Sequence, residues 1–225
     1  MKNNLYYPQI SLSNEEIFSE IKKERESIGY YSLPHVDITD LKTRLDNLNF
    51  TQKQIAIIGI GGSTLGTYAI YNFMKYNKQN SKTLNKELFF FESTDPVNLN
   101  GTISQFDLED TLFIVISKSG TTIETISIFK YLSSIIKMDK SNLVVITEND
   151  SKLNSFAKAN EIKTFDIPKN VGGRFSVLSN VGLVPLYLDG FDIDELLKGA
   201  KKSSDSFFDK KKLFKHLLKQ ARTYY

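Results

Sequence analysis

Nine consecutive residues, Ser117-Lys118-Ser119-Gly120-Thr121-Thr122-Ile123-Glu124-Thr125, carry five hydroxyls, one glycine and one lysine. They follow the apolar run Leu112–Ile116 and open onto a helical pattern. A phosphate dianion is held by several N–H or O–H donors with a cation nearby. The start of a helix adds free backbone N–H groups and the positive end of the helix dipole. The Ser117–Thr125 loop as a whole is therefore a candidate phosphate site, with Lys118 between two of its serines. Thr121 and Glu124 also match a capping box, which gives part of the hydroxyl supply a structural use. Glu124 is read as that capping residue rather than as a general base.

A second loop, Gly59-Ile60-Gly61-Gly62-Ser63-Thr64-Leu65-Gly66, also lies between a β-type run and a helical pattern. It fails the dinucleotide fingerprint, because Thr64 stands at the sixth place. It fails the P-loop pattern too, because Thr67-Tyr68 replaces Lys-[Ser/Thr]. Its glycines serve either turn geometry alone or close backbone approach to a ligand, with Gly62 and Ser63 at the centre. A third segment, Gly172-Gly173-Arg174-Phe175-Ser176, presents an arginine on a glycine turn. Arg174 suits a surface ion pair or, as a rigid fork beside a bare turn, an oxygen-rich ligand.

The elements that must position these loops read as an α/β alternation. Ile55–Ile58, Leu88–Phe91, Leu112–Ile116, Leu143–Ile146 and the weaker Lys163–Ile167 are short apolar runs, as expected of strands buried on both faces. Helices are expected from the glycine loop to Tyr76, from Asp95-Pro96 to Gln105, over Thr121–Ile136 and over Ser151–Ala159. Five strands with intervening helices imply a parallel sheet covered on both faces, with ligands at the carboxyl ends of the strands. Before the sheet, Ser13-Asn14-Glu15-Glu16 is a capping box that opens a helix to about Gly29, and a second helix covers Asp40–Asn47. After it come an apolar helix to about Leu188, a helix capped by Asp192–Glu195, and a basic amphipathic helix.

Composition narrows the function classes. The 225 residues fit one large or two small domains. There is no Cys, so a disulfide framework or a thiolate metal site is excluded, and the usage fits a reducing cytoplasm. Two histidines, His35 and His216, match no metal motif. No signal peptide and no apolar run long enough for a membrane helix is visible. Residues 196–225 carry nine Lys/Arg against two acids. Leu213, Phe214, Leu217, Leu218, Ala221, Tyr224 and Tyr225 recur there at helical spacing, so the lysines are read as the solvated side of an amphipathic helix. Neither nucleic acid nor a membrane is expected as a partner.

Taken in order, the Gly61-Gly62-Ser63 turn with Leu65-Gly66, the Ser117–Thr125 run and Gly172–Ser176 resemble the glucose-6-phosphate isomerase (phosphoglucose isomerase) family. The resemblance covers roughly residues 50 to 190. It implies a sugar isomerase (SIS) fold, a three-layer αβα sandwich on a five-stranded parallel sheet. It implies that Ser117, Ser119, Thr121 and Thr122 hold the sugar phosphate with Lys118 lining the site. Gly62 and Ser63 touch substrate, and Arg174 stands beside the reacting carbons. The implied chemistry interconverts glucose 6-phosphate and fructose 6-phosphate through a cis-enediolate, without cofactor or metal, in a cytoplasmic homodimer. It further implies a ring-opening His, a proton-transferring Glu and a late Lys in a second SIS domain, for which this sequence has no match. The expected organisation is a helical extension at 1–50, an SIS domain at 51–190 and a helical segment at 191–225 leading to that second domain. A chain so built holds the phosphate site without the proton-transfer groups. The alternative is a non-catalytic SIS sugar-phosphate sensor, against which stands the lack of any helix-turn-helix with a basic recognition helix.

Overall fold

The computed structural model describes residues 13–75 and 86–224. The expected helix end at Tyr76 and the terminal Tyr225 lie outside them. Asp37–Asp194 form one compact unit, and the segments up to Val36 and from Glu195 form another. In chain order the helices are α1 (Asn14–Ser27), α2 (Thr39–Asp46), α3 (Leu65–Lys75), α4 (Pro96–Ile103), α5 (Ile123–Ile135), α6 (Lys152–Ala159), α7 (Asn180–Asp189), α8 (Ile193–Phe208) and α9 (Lys212–Tyr224). The strands are β1 (Gln54–Ile58), β2 (Glu87–Phe91), β3 (Thr111–Ile116), β4 (Leu143–Thr147) and β5 (Lys163–Asp166).

The five strands pair in parallel in the order β2-β1-β3-β4-β5. Each of the expected strands forms within a residue or two of its expected bounds. The reason is burial on both faces: every residue of β3 and β4 is buried. Fully burying such a Val, Leu, Ile or Phe side chain contributes about 1.5–3 kcal/mol, so these two strands anchor the unit. Alternation then assigns the faces. Ala56, Ile58, Phe113, Val115 and Val145 pack with Leu99 of α4, Ile128 and Leu132 of α5, and Leu153 and Ala157 of α6. On the opposite face Phe90 meets Tyr68 and Tyr71 of α3, and α7 lies against β1 and α3. The result is a three-layer αβα sandwich.

The helix starts follow local chemistry. Asp95 caps α4 through Asn98 N–H at 2.9 Å, with Pro96 in the first turn where its missing N–H costs nothing. Ser151 caps α6 through Asn154 N–H at 3.0 Å. Strand order reverses between β1 and β3, since the chain leaves β1 for β2 and then crosses back. Such a switch point opens a crevice at the carboxyl ends of the strands, which is where ligands of open α/β sheets bind.

In the other unit the capping box at Ser13 and Glu16 forms as expected, with both reciprocal hydrogen bonds present. Phe18 of α1 is buried with Phe214 and Leu218 of α9, and Phe207 packs against the group. The apolar face of α9 is thus covered at Phe214 and Leu218, while Leu217 and Ala221 are exposed. Lys212, Lys215 and Lys219 are exposed, as the amphipathic reading required.

Candidate functional site

Three loops converge at the switch point. After β1 the chain turns through a single 3₁₀ turn at Gly61–Ser63. After β3 comes Ser117–Thr122, and after β5 a second 3₁₀ turn spans Gly173–Phe175. The first and third loops meet at Gly62. A Cβ placed there would sit 2.3 Å from the carbonyl carbon and oxygen of Gly173 and 2.7 Å from Arg174 N. Only a glycine lets the two backbones approach this closely, so this contact sets where Arg174 stands. The Ser176 hydroxyl donates to the Gly173 carbonyl at 2.6 Å and closes the arginine turn.

The second loop is pinned from the β4 side. Gly120 has φ +67° and would place a Cβ 2.8 Å from that of Ser151, so both its backbone and its space require glycine. Thr147 Oγ1 donates to the Ser117 carbonyl at 2.6 Å. Lys118 Nζ donates to the Lys169 carbonyl at 2.8 Å and lies 3.4 Å from Glu148 Oε1. One lysine therefore ties the loops that follow β3, β4 and β5.

The expected capping box at Thr121 and Glu124 does not form. Thr122 occupies the N-cap of α5 without a side-chain bond to the helix. The helix starts one residue later than the box requires, which moves Glu124 to the second helical position and leaves it exposed. Thr121 instead donates from its N–H and hydroxyl to Ser119 Oγ at 3.3 and 3.1 Å. Ser117 donates to Thr122 Oγ1 at 3.1 Å. The first N–H groups of α5 thus have no side-chain cap, and such a helix start favours an anion.

Together the loops enclose an open cavity of about 560 Å³, within the range of small-molecule sites. Ile60, Gly62, Ser63, Lys118, Ser119, Thr122, Glu148, Gly172, Gly173, Arg174 and Phe175 line it. Of the residues singled out in the sequence, Gly62, Ser63, Lys118, Ser119, Thr122 and Arg174 are brought together on this wall. Ser117 is buried behind the loop, and Thr121 lies outside the lining, held to Ser119. Arg174 is exposed, and no described residue accepts from its guanidinium.

A family model described as phosphoglucose isomerase matches residues 46–217, most of the chain and all three loops. The chain belongs to the phosphoglucose isomerase family. A curated relative from Campylobacter jejuni, named glucose-6-phosphate isomerase, is 39% identical over 94% of this chain and 53% of its own length. A crystal structure of a hypothetical protein from Thermus thermophilus superposes with a TM-score of 0.73 at 32% identity, over 86% of this chain and 48% of that one. A glucose-6-phosphate isomerase from Chlamydia trachomatis gives a TM-score of 0.61 at 27% identity, over 89% of this chain and 36% of that one. The chain spans about half the length of the curated relatives it matches. The family consists of aldose–ketose isomerases, and the SIS-type sandwich expected from the sequence is the fold observed.

One lining residue of this cavity, Glu148, lies outside the three loops singled out in the sequence. Glu148 stands in Thr147-Glu148-Asn149-Asp150, which reads as a polar turn after a strand. The available signal was its position, one residue past the end of β4 beside the switch point.

Among the described residues no helix is long and apolar enough to cross a membrane.

Proposed function

We propose that the cavity binds the phosphate end of a hexose 6-phosphate and that the whole protein interconverts glucose 6-phosphate and fructose 6-phosphate. The observation that carries this reading is the contact of Gly62 with Gly173 and Arg174, which sets an exposed guanidinium opposite a hydroxyl-rich helix start. In this reading Ser119 and Thr122, with the first N–H groups of α5, hold the phosphoryl oxygens. Ser117 and Thr121 act through the hydroxyls they orient, and Lys118 supplies positive charge at the wall. Gly62 and Ser63 contact the sugar.

Arg174 then lies toward the carbons that exchange hydrogen. Moving a proton between C2 and C1 passes through an enediolate, whose negative charge a fixed guanidinium stabilises without reorganisation. That transfer also needs a general base, a group worth about 10²–10⁴ in rate. Glu148 is the carboxylate on the cavity wall among the described residues, and it is engaged by Lys118 at 3.4 Å. These 225 residues by themselves are therefore read as a substrate-binding half with little turnover. The base, the ring-opening His and the late Lys of the family would come from elsewhere in the whole protein.

Calorimetric titration with fructose 6-phosphate, paired with a coupled assay for glucose 6-phosphate, tests both parts. The reading expects binding that weakens in Arg174→Ala and turnover near background. Turnover well above a mock preparation would place a working base inside these residues. Absence of binding would remove the phosphate site itself.

A further inference from the structure

The cavity contains a carboxylate that phosphate binding does not need. Glu148 Oε1 lies 3.4 Å from Lys118 Nζ, with side-chain exposures of 24% and 31% for the acid and the lysine. Lys118 also donates to the Lys169 carbonyl at 2.8 Å, and Glu148 N–H donates to the Lys118 carbonyl at 3.1 Å. The lysine is thereby held to the wall, and much of its charge is answered before any ligand enters. Arg174 lines the same cavity without a described acceptor. The wall therefore carries two cations and one anion. A site built only to attract anions would omit the anion, because a like charge beside the ligand opposes binding.

We propose that Glu148 is a specificity-determining residue that restricts the cavity to sugars carrying a single phosphoryl group. The proposal rests on the reading of this cavity as a phosphate site. A phosphate monoester carries about −1.5 to −2 charge near neutral pH. The loop N–H groups, the hydroxyls, Arg174 and the share of the Lys118 charge that Glu148 leaves can answer that much. A second phosphoryl group brings as much negative charge again into a space where Glu148 already contributes one. Glu148 also keeps Lys118 from swinging to a second anion, since the lysine would have to leave both its carboxylate and the Lys169 carbonyl. Selection by a repelling element of this kind separates ligands that the attractive contacts alone would accept together.

Titration calorimetry at fixed ionic strength on the wild-type chain, Glu148→Gln and Glu148→Asp, with fructose 6-phosphate and fructose 1,6-bisphosphate, tests this. Glutamine keeps the size and an acceptor but removes the charge. Its affinity for the bisphosphate relative to the monophosphate should rise by about tenfold or more, while Glu148→Asp keeps the wild-type ratio. An unchanged ratio in Glu148→Gln, with the wild type binding the monophosphate, overturns the role of Glu148 and leaves the phosphate site standing. No binding of the monophosphate by the wild type overturns both. Should Glu148→Gln fail to fold by circular dichroism, the wild type alone decides. It must bind the bisphosphate no more tightly than the monophosphate, and tighter binding refutes the proposal.

Discussion

Replacing Gly62 by alanine probes the contact on which the site depends. The added Cβ would lie 2.3 Å from Gly173 C and O and 2.7 Å from Arg174 N. A methyl group tolerates backbone atoms at about 3.4 Å or beyond, so the two turns must part by about 1 Å. Both sides of the contact are main chain, so neither can rotate away as a flexible side chain would. Forced overpacking of this kind costs about 1–3 kcal/mol of stability. For a chain of this size each kcal/mol lowers the melting temperature by about 2–4 °C. The larger effect falls on the ligand, because a displacement of about 1 Å in a positioned group can cost on the order of 10²-fold in activity, and a comparable loss of affinity is expected here. Thermal unfolding followed by calorimetric titration with fructose 6-phosphate separates the two. Gly101→Ala is the control, since it lies within α4 with open space at its Cβ and should stabilise by about 0.5–1 kcal/mol. A Gly62→Ala protein that melts and binds like the wild type would refute the claim that this approach positions Arg174.

Other perturbations address the scaffold. Asp189, at the end of α7, is fully buried, and one of its oxygens, Oδ2, finds no donor among the described residues. Burial pushes its carboxyl up to about 7, against which the Lys86 N–H at 3.2 Å and the nearby lysines act. A carboxyl raised in the folded state contributes stability that is complete below about pH 4 and is lost as pH rises toward 7, by about 4 kcal/mol at most. Melting temperatures from pH 4 to 8 should therefore fall more steeply in the wild type than in Asp189→Asn, and parallel curves would contradict the assignment. Ser151→Ala removes the cap of α6 and the partner of Thr147 Oγ1 at 2.8 Å, and should cost about 1–2 kcal/mol in denaturant unfolding. A loss below a few tenths would show that the cap is dispensable.

The sheet was legible because its strands are short unbroken apolar runs bounded by polar turns, a pattern that double-sided burial imposes. The grouping of the loops was legible because the carboxyl ends of parallel strands lie side by side, and six of the residues marked there line one cavity. What could not be read was any feature decided by a one-residue shift or by a distant partner. Thr121 and Glu124 satisfy the spacing of a capping box, yet α5 begins one residue later and Thr121 binds Ser119 instead. Lys118 was marked as a cation for the ligand, but its ties to Glu148 and the Lys169 carbonyl depend on sheet order, which brings the loops after β4 and β5 beside it. The apolar stripe of α9 was visible, while the partner that buries Phe214 and Leu218 sits nearly two hundred residues earlier, at Phe18.

In the proposed function three loops at one switch point form a single sugar-phosphate site. Backbone amide chemical shifts of the 225-residue chain, followed by NMR during titration with fructose 6-phosphate, test it most directly. A single site gives saturable shifts grouped at residues 60–63, 117–125 and 172–176, with the amides at the start of α5 among the largest. Shifts confined to one of the three loops, scattered over the basic α9 face, or absent at millimolar ligand would contradict it.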